Sequence, residues 1–283
     1  MHPTWLVPDW PAPIGVKAVF TTREGGCSMA PYASLNLGDH VGDDPSCVQQ
    51  NRLAFANQLG AAPVFLKQVH GQRVLRLDAG LGAASGVIAH GDSSLEADAC
   101  FSTERGVACT VMVADCLPVL LTHLDAPVVA AAHAGWRGLI GAGDASEHGV
   151  GRGVIEATLT KLLAHRVSGD QLAPDRTLAW LGPCIGPEAF EVGPEVKAAF
   201  EVWLSGASRF FKPTAEDKFL ADLPGLAKLQ LRALGVSAVH GNDGSQAWCT
   251  VRNPALYFSH RRCTQDAAQS PNTGRMAASV WLA

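Results

Sequence analysis

Short apolar runs recur along the whole chain and predict β-strands. The runs are four to seven residues long and are bounded by glycine, proline, aspartate or other turn residues, which is typical of buried strands. We therefore expect strands over residues 15–21, 64–69, 74–77, 108–114, 119–123, 128–133, 177–181, 236–239 and 276–281.

Helical patterns lie between the predicted strands. Asp44 followed by Pro45 is a typical helix start, and Gly60 is a typical helix end. Helices and strands alternate irregularly and include a close hairpin, so the sequence predicts a mixed α+β architecture rather than a regular βαβ series. No segment resembles a long linker, and we expect one domain over residues 1–283. The other expected helices cover residues 153–166, 193–204 and 222–234.

The composition argues against nucleic-acid binding, membrane insertion and secretion. The chain has 22 basic and 26 acidic residues, whereas a nucleic-acid binder normally shows a basic excess. Apolar runs such as 107–113 are far shorter than the roughly 20 residues that span a bilayer. The N-terminus lacks a secretory signal pattern, and the eight cysteines form no CxxC pair. We expect a cytoplasmic protein with reduced thiols.

Three apolar runs lead to residues that bind zinc well. His70 and His133 stand at the ends of two runs, and Cys116 closely follows a third. A sheet holds the ends of its strands rigidly, and the glycines that follow both histidines let a substrate approach the backbone. Strand-end placement therefore makes these three residues the candidate ligands of one metal ion.

The spacing of Cys116 and His133 adds a geometric argument. If the two apolar runs between them form an antiparallel hairpin, its fold point lies near Leu124 and Asp125. Both residues are equally distant from that point, so we expect them to face one another with Cα atoms about 4.5–5.5 Å apart. Pro118 removes one donor from the ladder, which would place Cys116 at a bulge. His70 must then come from a third strand.

Two histidines and a cysteine would leave a fourth position of a tetrahedral zinc ion for water or substrate. Asp115 is a candidate acceptor for a ligand histidine, or a catalytic acid or base. The competing interpretation is structural, because a single cysteine or histidine in a strand is more often buried without binding a metal. The chain contains no compact metal motif such as HExxH.

Six sequence blocks, in order, resemble the YfiH-type laccase-domain family. The resemblance runs from about residue 15 to the C-terminus, and bacterial members are described as purine nucleoside phosphorylases and as peptidoglycan editing factors. The combination of blocks is far more specific than any one of them. The blocks are TTREGGCSMAPYASLNLGDHVGDDPSCVQQNR (21–52), LKQVHG (66–71), ADCLPVLL (114–121), AAAHAGWRG (130–138), WLGPCIGPEAFEVG (180–193) and SHRRCTQDAAQSPNTGRMAASVWL (259–282).

The resemblance implies a four-layer α/β/β/α fold with mixed sheets, related to a bacterial deamidase toxin that uses a Cys–His pair. It implies that His70, Cys116 and His133 are the zinc ligands. The implied activities are phosphorolysis of adenosine, inosine and methylthioadenosine to base plus ribose 1-phosphate, and deamination of adenosine. Two segments, Gly141–Gly151 and Cys263–Pro271, are longer than in relatives, which leaves the substrate preference open.

Phosphorolysis requires a phosphate site, and deamination requires a hydroxide, which zinc-bound water supplies near neutral pH. Arg23, Arg52 and Arg137 are candidates for phosphate because a guanidinium binds anions with two parallel hydrogen bonds. Asn36 and Gln68 are candidates for ribose or base contacts. For each of these residues, a hydrogen bond within a loop is the equally weighted alternative.

Arg52 falls within an apolar stripe of the first helix, together with Val48, Phe55 and Leu59. One interpretation places its guanidinium in water at the end of a buried stem. The other places it in a pocket, where it holds an anion.

Two other enzyme classes use the same residues. A cysteine hydrolase would employ Cys116 as nucleophile and His133 as base to cleave an amide of a muropeptide precursor. A copper-dependent polyphenol oxidase needs several histidine-rich sites, yet no H-x-H pair occurs among the ten histidines. Copper could still occupy the trio in vitro. A catalytically silent binding module is the third alternative.

The expected partners are a purine nucleoside and phosphate, and we expect a monomer or weak homodimer.

Overall fold

Two mixed β-sheets form the centre of the computed structural model, which describes residues 2–78, 80, 95–141, 153–167, 170–215, 217–265 and 272–283. In chain order the strands are β1 (Val16–Phe20), β2 (Ala62–Phe65), β3 (Val74–Leu77), β4 (Ala99–Ser102), β5 (Val107–Val113), β6 (Leu117–His123), β7 (Ala126–Ala134), β8 (Arg166–Val167), β9 (Asp170–Gln171), β10 (Thr177–Leu181), β11 (Glu191–Val192), β12 (Phe211–Pro213), β13 (Phe219–Ala221), β14 (Ala238–Gly241) and β15 (Met276–Leu282). The helices are α1 (Pro45–Leu59), α2 (Trp136–Ile140), α3 (Val154–Leu163), α4 (Pro194–Trp203), α5 (Leu223–Ala233) and α6 (His260–Gln265).

The four-stranded sheet has the order β1-β15-β5-β2, and the six-stranded sheet has the order β14-β10-β6-β7-β4-β3. Most neighbours are antiparallel, but β2 with β5, β3 with β4, and β10 with β14 are parallel. Two smaller sheets, β11-β13-β12 and β8-β9, lie outside this pair. The mixture of strand directions matches the irregular order of elements in the sequence.

Three apolar cores separate four layers. Residues from both large sheets, such as Val111 and Leu120, pack against each other in the central core. Phe55 of α1 packs against Trp281 on the outer face of the four-stranded sheet. Leu226 of α5 packs on the outer face of the six-stranded sheet, together with residues of α3 and α4. The expected α+β class with an α/β/β/α arrangement is therefore confirmed.

Strand β7 shows why the sequence lacks an alternating pattern there. Val128, Ala130 and Ala132 face the helices, whereas Val129 and Ala131 face the other sheet. Because successive side chains point to opposite faces and both faces are covered, every position favours an apolar residue. The result is the uninterrupted run that predicted this strand.

No helix in the described ranges is long and apolar enough to cross a membrane.

The first helix has the predicted ends. The Asp44 carboxylate accepts a hydrogen bond from the amide of Ser46, Pro45 occupies the first turn, and Gly60 adopts a left-handed conformation with φ of 63°. The other three predicted helices are present, each shorter by a few residues.

Strand β4 was not predicted, since its four residues show no periodic pattern. The extent of one domain over residues 1–283 stays a prediction.

The β6–β7 hairpin corrects one prediction. His123 pairs with Ala126, which fits a turn at Leu124 and Asp125. A bulge between Thr122 and His123 then inserts two extra residues on the β7 side, so that His133 pairs with Pro118. Cys116 lies just before β6 and does not face His133 directly. The direct opposition was wrong because counting residues from the turn cannot reveal a bulge.

Candidate metal centre

The structure brings the three candidate ligands together at the end of the hairpin. His70 follows β2, Cys116 lies in the turn between β5 and β6, and His133 belongs to β7. One ligand atom from each residue lies within 4.8 Å of the others. The Sγ atom of Cys116 is 3.6 Å from Nε2 of His70, and the rings of His70 and His133 meet at an angle of 71° with centroids 4.7 Å apart. Three distant parts of the sequence thus converge on one point.

These distances fit a zinc ion. With Zn–S of about 2.3 Å and Zn–N of about 2.0–2.1 Å, sulfur and nitrogen in a tetrahedral site lie about 3.6 Å apart. The observed separation between the Cys116 sulfur and the His70 nitrogen is 3.6 Å. His133 is buried, Cys116 is partly exposed and His70 is exposed, so the group opens to solvent on one side. The three side chains could hold a metal ion and leave a fourth coordination position on the exposed side.

Asp98 organises two of the three ligands. One carboxylate oxygen accepts hydrogen bonds from Nδ1 of His133 at 2.8 Å and from the amide of His70 at 2.8 Å. The other oxygen accepts from the amides of Val69 at 3.1 Å and Gly71 at 2.7 Å. Asp98 is fully buried. Because Nδ1 of His133 points to this carboxylate, Nε2 is the nitrogen available to a metal.

The backbone around His70 is shaped by the same carboxylate. His70 has a φ of 62°, which an L-residue rarely adopts. Three successive amides, from Val69 to Gly71, converge on Asp98 and offset the cost of that conformation. Sequence reasoning missed Asp98. Its position directly before β4, beside the strand that carries His133, could have identified it only if that short strand had been predicted.

Cys116, His133 and Asp98 stabilise one another in their charged forms. Burial alone would raise the pKa of Cys116, but the charge of His133 and the hydrogen bonds with His133 and His70 outweigh it and lower the pKa to about 6. Burial would lower the pKa of His133, but the Cys116 thiolate and Asp98 raise it to about 9. Burial opposes ionisation of Asp98 as well, yet the His133 contact and backbone amides leave its pKa lowered.

A cleft of about 180 Å³ lies beside the trio. Its arginines are Arg137 and Arg261, its aromatic groups are Trp136 and Phe190, and His260 also lines it. The Arg137 guanidinium lies 4.5 Å from the centroid of the Trp136 ring. A cleft with this lining suits a ligand that combines an aromatic base with an anionic group. Its remaining lining residues are His70, Ala114, Asp115, Cys116, Gly135, Ile185 and Leu223.

Asp115 lines the cleft, but both oxygens of its carboxylate have partners. One accepts from the Thr250 hydroxyl at 2.5 Å, and the other accepts from the amide of Arg261 at 2.6 Å. Its main-chain oxygen accepts from the amide of Ile185, and its φ is 94°. Asp115 therefore joins the β5–β6 turn to the start of α6. Its predicted role as an acid, base or second-sphere acceptor stays a prediction.

The Arg52 side chain is buried rather than exposed to water, and Arg52 is not among the residues that line the cleft. Its guanidinium is buried, pairs with the Asp39 carboxylate at 3.1 Å and donates to the Leu37 carbonyl at 2.9 Å. It also lies 4.1 Å from the centroid of the Phe65 ring. The anion that Arg52 holds in this structure is thus a side chain of the same protein. Its predicted contact with substrate stays a prediction.

Asn36 and Gln68 also lie outside the residues that line the cleft. The Gln68 side chain pairs with the backbone of Met112, accepting from the amide at 2.7 Å and donating to the carbonyl at 2.8 Å. Asn36 donates to Asp43 at 2.9 Å and accepts from the amide of Arg275 at 2.9 Å. Both side chains hydrogen-bond to segments that are distant from them in the sequence. Their predicted ribose or base contacts stay predictions.

Gly135 leaves room for the ligands. A Cβ atom at this position would lie 3.0 Å from the Cys116 sulfur and 3.1 Å from Cδ2 of His70. Both distances are shorter than ordinary van der Waals contacts. A side chain at the position two residues after His133 would therefore push against the other two ligands.

Comparisons with known proteins identify similar sequences and structures. The sequence model of a family described as "Multi-copper polyphenol oxidoreductase laccase" matches residues 17–283. The chain is 45% identical to a purine nucleoside phosphorylase of Pseudomonas aeruginosa and 43% identical to purine nucleoside phosphorylase YfiH of Escherichia coli. Each alignment covers 98% of this chain and 98% of the relative.

Solved structures of similar proteins have the same fold. A crystal structure of a Neisseria meningitidis protein is 40% identical, covers 99% of both chains and superposes with a TM-score of 0.80. The crystal structure of YlmD from Geobacillus stearothermophilus is 30% identical, covers 100% of this chain and 97% of that one, and gives a TM-score of 0.81. Sequence and structure together show that the chain belongs to the YfiH-type laccase-domain family.

Proposed function

We propose that the protein is a zinc-dependent purine nucleoside phosphorylase that also deaminates adenosine. The observation that carries the proposal is the convergence of His70, Cys116 and His133 within 4.8 Å beside a cleft with cationic and aromatic walls. The names of the Pseudomonas and Escherichia relatives, which match over nearly their whole length, support the phosphorylase activity. Zinc is preferred because two imidazoles and one thiolate suit it.

The chain's own residues would hold the ion and orient the reactants. Cys116 and His133 would supply a thiolate and Nε2, and Asp98 would hold the His133 ring in place through Nδ1. A zinc ion held there would supply a Lewis acid that favours departure of a purine base or attack by water on it. Trp136 and Phe190 would contact the apolar faces of the nucleoside.

We propose that Arg137 binds the phosphate. Its side chain is exposed at the cleft, and within the described residues its guanidinium contacts the Trp136 ring but no carboxylate. Arg261, by contrast, already donates to the carbonyls of Ala189 and Glu191. We keep Arg52, Asn36 and Gln68 as secondary candidates for substrate contact, because their side chains already pair with Asp39, Asp43 and the Met112 backbone.

The test is one incubation of metal-quantified protein with adenosine, with and without phosphate. Phosphorolysis would release adenine and ribose 1-phosphate only when phosphate is present, and deamination would release inosine in both samples. Inosine and methylthioadenosine in parallel reactions define the substrate range. If the zinc-loaded protein forms none of these products, the proposal is wrong.

A second candidate is a Cys–His hydrolase acting on muropeptide precursors. The observation that favours it is the chain of contacts from Asp98 through His133 to Cys116, because a carboxylate that orients a histidine beside a thiol is also the arrangement of cysteine hydrolases. This mechanism needs no metal. Amide hydrolysis that persists after exhaustive chelation would favour it over the phosphorylase.

We propose that copper oxidation of phenols is not the function. Within the described residues the only group of three or more metal-binding side chains is His70, Cys116 and His133, whereas multicopper chemistry requires several copper sites. We further propose that the protein works in the cytoplasm as a monomer or weak homodimer, with a purine nucleoside and phosphate as its ligands. Light scattering of the purified protein would test the oligomeric state.

A further inference from the structure

Cys27 and Cys47, which are not among the candidate metal ligands, face one another at the protein surface. Cys27 belongs to the loop between β1 and α1, and Cys47 lies in the first turn of α1. Cys27 is exposed and Cys47 is partly exposed. The Sγ atom of Cys27 is 3.5 Å from the carbonyl oxygen of Cys47, and the Sγ atom of Cys47 is 3.7 Å from the carbonyl oxygen of Cys27. Each sulfur therefore points towards the other residue.

The surrounding structure fixes this arrangement. Asn51, one turn further along α1, is buried, and its Oδ1 accepts the amide of Cys27 at 2.9 Å. Its Nδ2 donates to the Ser28 hydroxyl at 2.9 Å and to the carbonyl of Asn36 at 2.9 Å. Because one side chain holds the loop against the helix, Cys27 stays close to Cys47. A disulfide requires two such side chains that already point at each other.

We propose that Cys27 and Cys47 are a dithiol that low-molecular-weight disulfides such as oxidised glutathione convert to an intramolecular disulfide. The Cys27 thiolate attacks one sulfur of glutathione disulfide, forms a mixed disulfide and releases one glutathione. The Cys47 thiolate then attacks the Cys27 sulfur, closes the bridge and releases the second glutathione. Two cysteine protons are lost, and one external disulfide is reduced to two thiols.

The order of the two attacks follows from the environment of each thiol. Cys27 is the more exposed sulfur and meets the oxidant first. The neighbouring Cys27 thiol raises the pKa of Cys47, and burial and the charges of Asp44 and Asp43 add to this effect. The raised pKa makes the Cys47 thiolate scarce, and Cys47 acts second, once the mixed disulfide stands next to it.

The other close pair of thiols shows why exposure matters. Cys100 and Cys109 also interact, and burial, together with the Cys100 thiol, raises the pKa of Cys109 well above its ordinary value. Both residues are fully buried between the sheets. A soluble disulfide cannot reach them in the folded protein, so they serve as an internal control for the surface pair.

The experiment uses zinc-loaded full-length protein, in which the metal protects Cys116, treated with glutathione disulfide. Trypsin leaves residues 24–52 as one peptide, because no lysine or arginine lies between Arg23 and Arg52. A second protease that cuts beside Asp39, Asp43 or Asp44 separates Cys27 from Cys47. We expect the two fragments to stay joined until a reductant is added, while Cys100 and Cys109 remain free thiols.

Two variants distinguish an intramolecular disulfide from a glutathione that stays attached to Cys27. In Cys47→Ser, Cys27 should keep one glutathione, whereas the wild-type protein should release it. In Cys27→Ser, no bridge should form. The oxidised wild-type protein should also melt several degrees higher than the reduced protein, because the bridge closes a loop of 20 residues. Separate fragments from the wild type without reductant, with or without a retained glutathione on Cys27, would overturn the proposal.

Discussion

The Asp98 carboxylate accepts the Nδ1 proton of His133 at 2.8 Å, and the same oxygen accepts the amide of His70. A single buried side chain thereby sets the orientation of one candidate ligand and the backbone position of another. Second-sphere carboxylates of this kind fix the tautomer of a ligand histidine and raise its basicity. The geometry of the site thus depends on a buried residue that is not among those lining the cleft.

Replacing Asp98 with asparagine should weaken zinc binding about 10- to 100-fold. The amide group would turn an NH₂ donor towards either His133 and His70 or Val69 and Gly71, where the carboxylate now accepts four hydrogen bonds. Competition with a fluorescent chelator measures the affinity. Asp125→Asn, which removes an exposed carboxylate paired with Arg176, is the matched control and should bind zinc like the wild type. Equal affinity of both variants would contradict the role of Asp98.

Cys116→Ser should lose stoichiometric zinc and phosphorolysis together. A serine hydroxyl stays protonated near neutral pH and is a far weaker zinc ligand than a thiolate. Metal content by elemental analysis and adenine release from adenosine are measured on the same preparation. Cys249→Ser is a matched control, because that buried thiol is not among the three candidate ligands. Phosphorolysis that survives in Cys116→Ser at the wild-type rate would exclude the proposed metal site.

Gly135→Ala should reduce zinc affinity because the added Cβ would lie 3.0 Å from the Cys116 sulfur. Gly71→Ala is a suitable control: its Cβ would lie 3.5 Å from the nearest Asp98 oxygen, an ordinary contact. Calorimetric zinc titration compares the two variants, and their melting curves check that both are folded. A normal affinity in Gly135→Ala would mean that the ligands can move apart without loss.

Arg137→Ala should raise the KM for phosphate about tenfold or more, because a charged hydrogen bond contributes about 1.5–3 kcal/mol. The KM for the nucleoside should change much less. Arg137→Lys keeps the charge but loses the two-pronged geometry, so its effect should be intermediate. Initial rates at varied phosphate give these constants, and an unchanged phosphate KM in Arg137→Ala would assign the phosphate to another cation.

The metal-free protein should contain an unusually reactive thiol. Since the Cys116 pKa is lowered to about 6, its thiolate persists at neutral pH and is lost as the pH falls through about 6. The rate of alkylation by iodoacetamide, followed by mass spectrometry, should therefore have its midpoint near that pH. Zinc should abolish the reaction, and His133→Gln should move the midpoint upward because the neighbouring positive charge is gone. A midpoint near the ordinary thiol value would contradict this environment.

The trio was predictable because each ligand stands at or near the end of an apolar run, and the resemblance to the family selects the same residues. Asp98 was not, since it precedes a strand of only four residues, Ala99–Ser102, without periodicity. The hairpin turn was predicted from spacing, but the bulge beside His123 depends on how β6 and β7 pack between two layers. Local sequence carries little information about such long-range adjustments.

Arg52 illustrates another limit of sequence reasoning. Its place in an apolar stripe showed that it was unusual, and the structure shows it buried. Its partners, Asp39 and Phe65, belong to a loop and a strand on opposite sides of α1 in the sequence. The sequence identifies a guanidinium as a candidate anion contact, but whether the anion is a ligand or a neighbouring carboxylate depends on the tertiary fold.

The position of the trio relative to the two large sheets has a mechanical consequence. His70 extends from the four-stranded sheet, His133 belongs to the six-stranded sheet, and Cys116 stands where the chain crosses from one to the other. An ion bound by all three residues would cross-link the two sheets at this edge. Stripping the ion should then loosen the sandwich from this end, and melting temperature would become a direct gauge of metal occupancy.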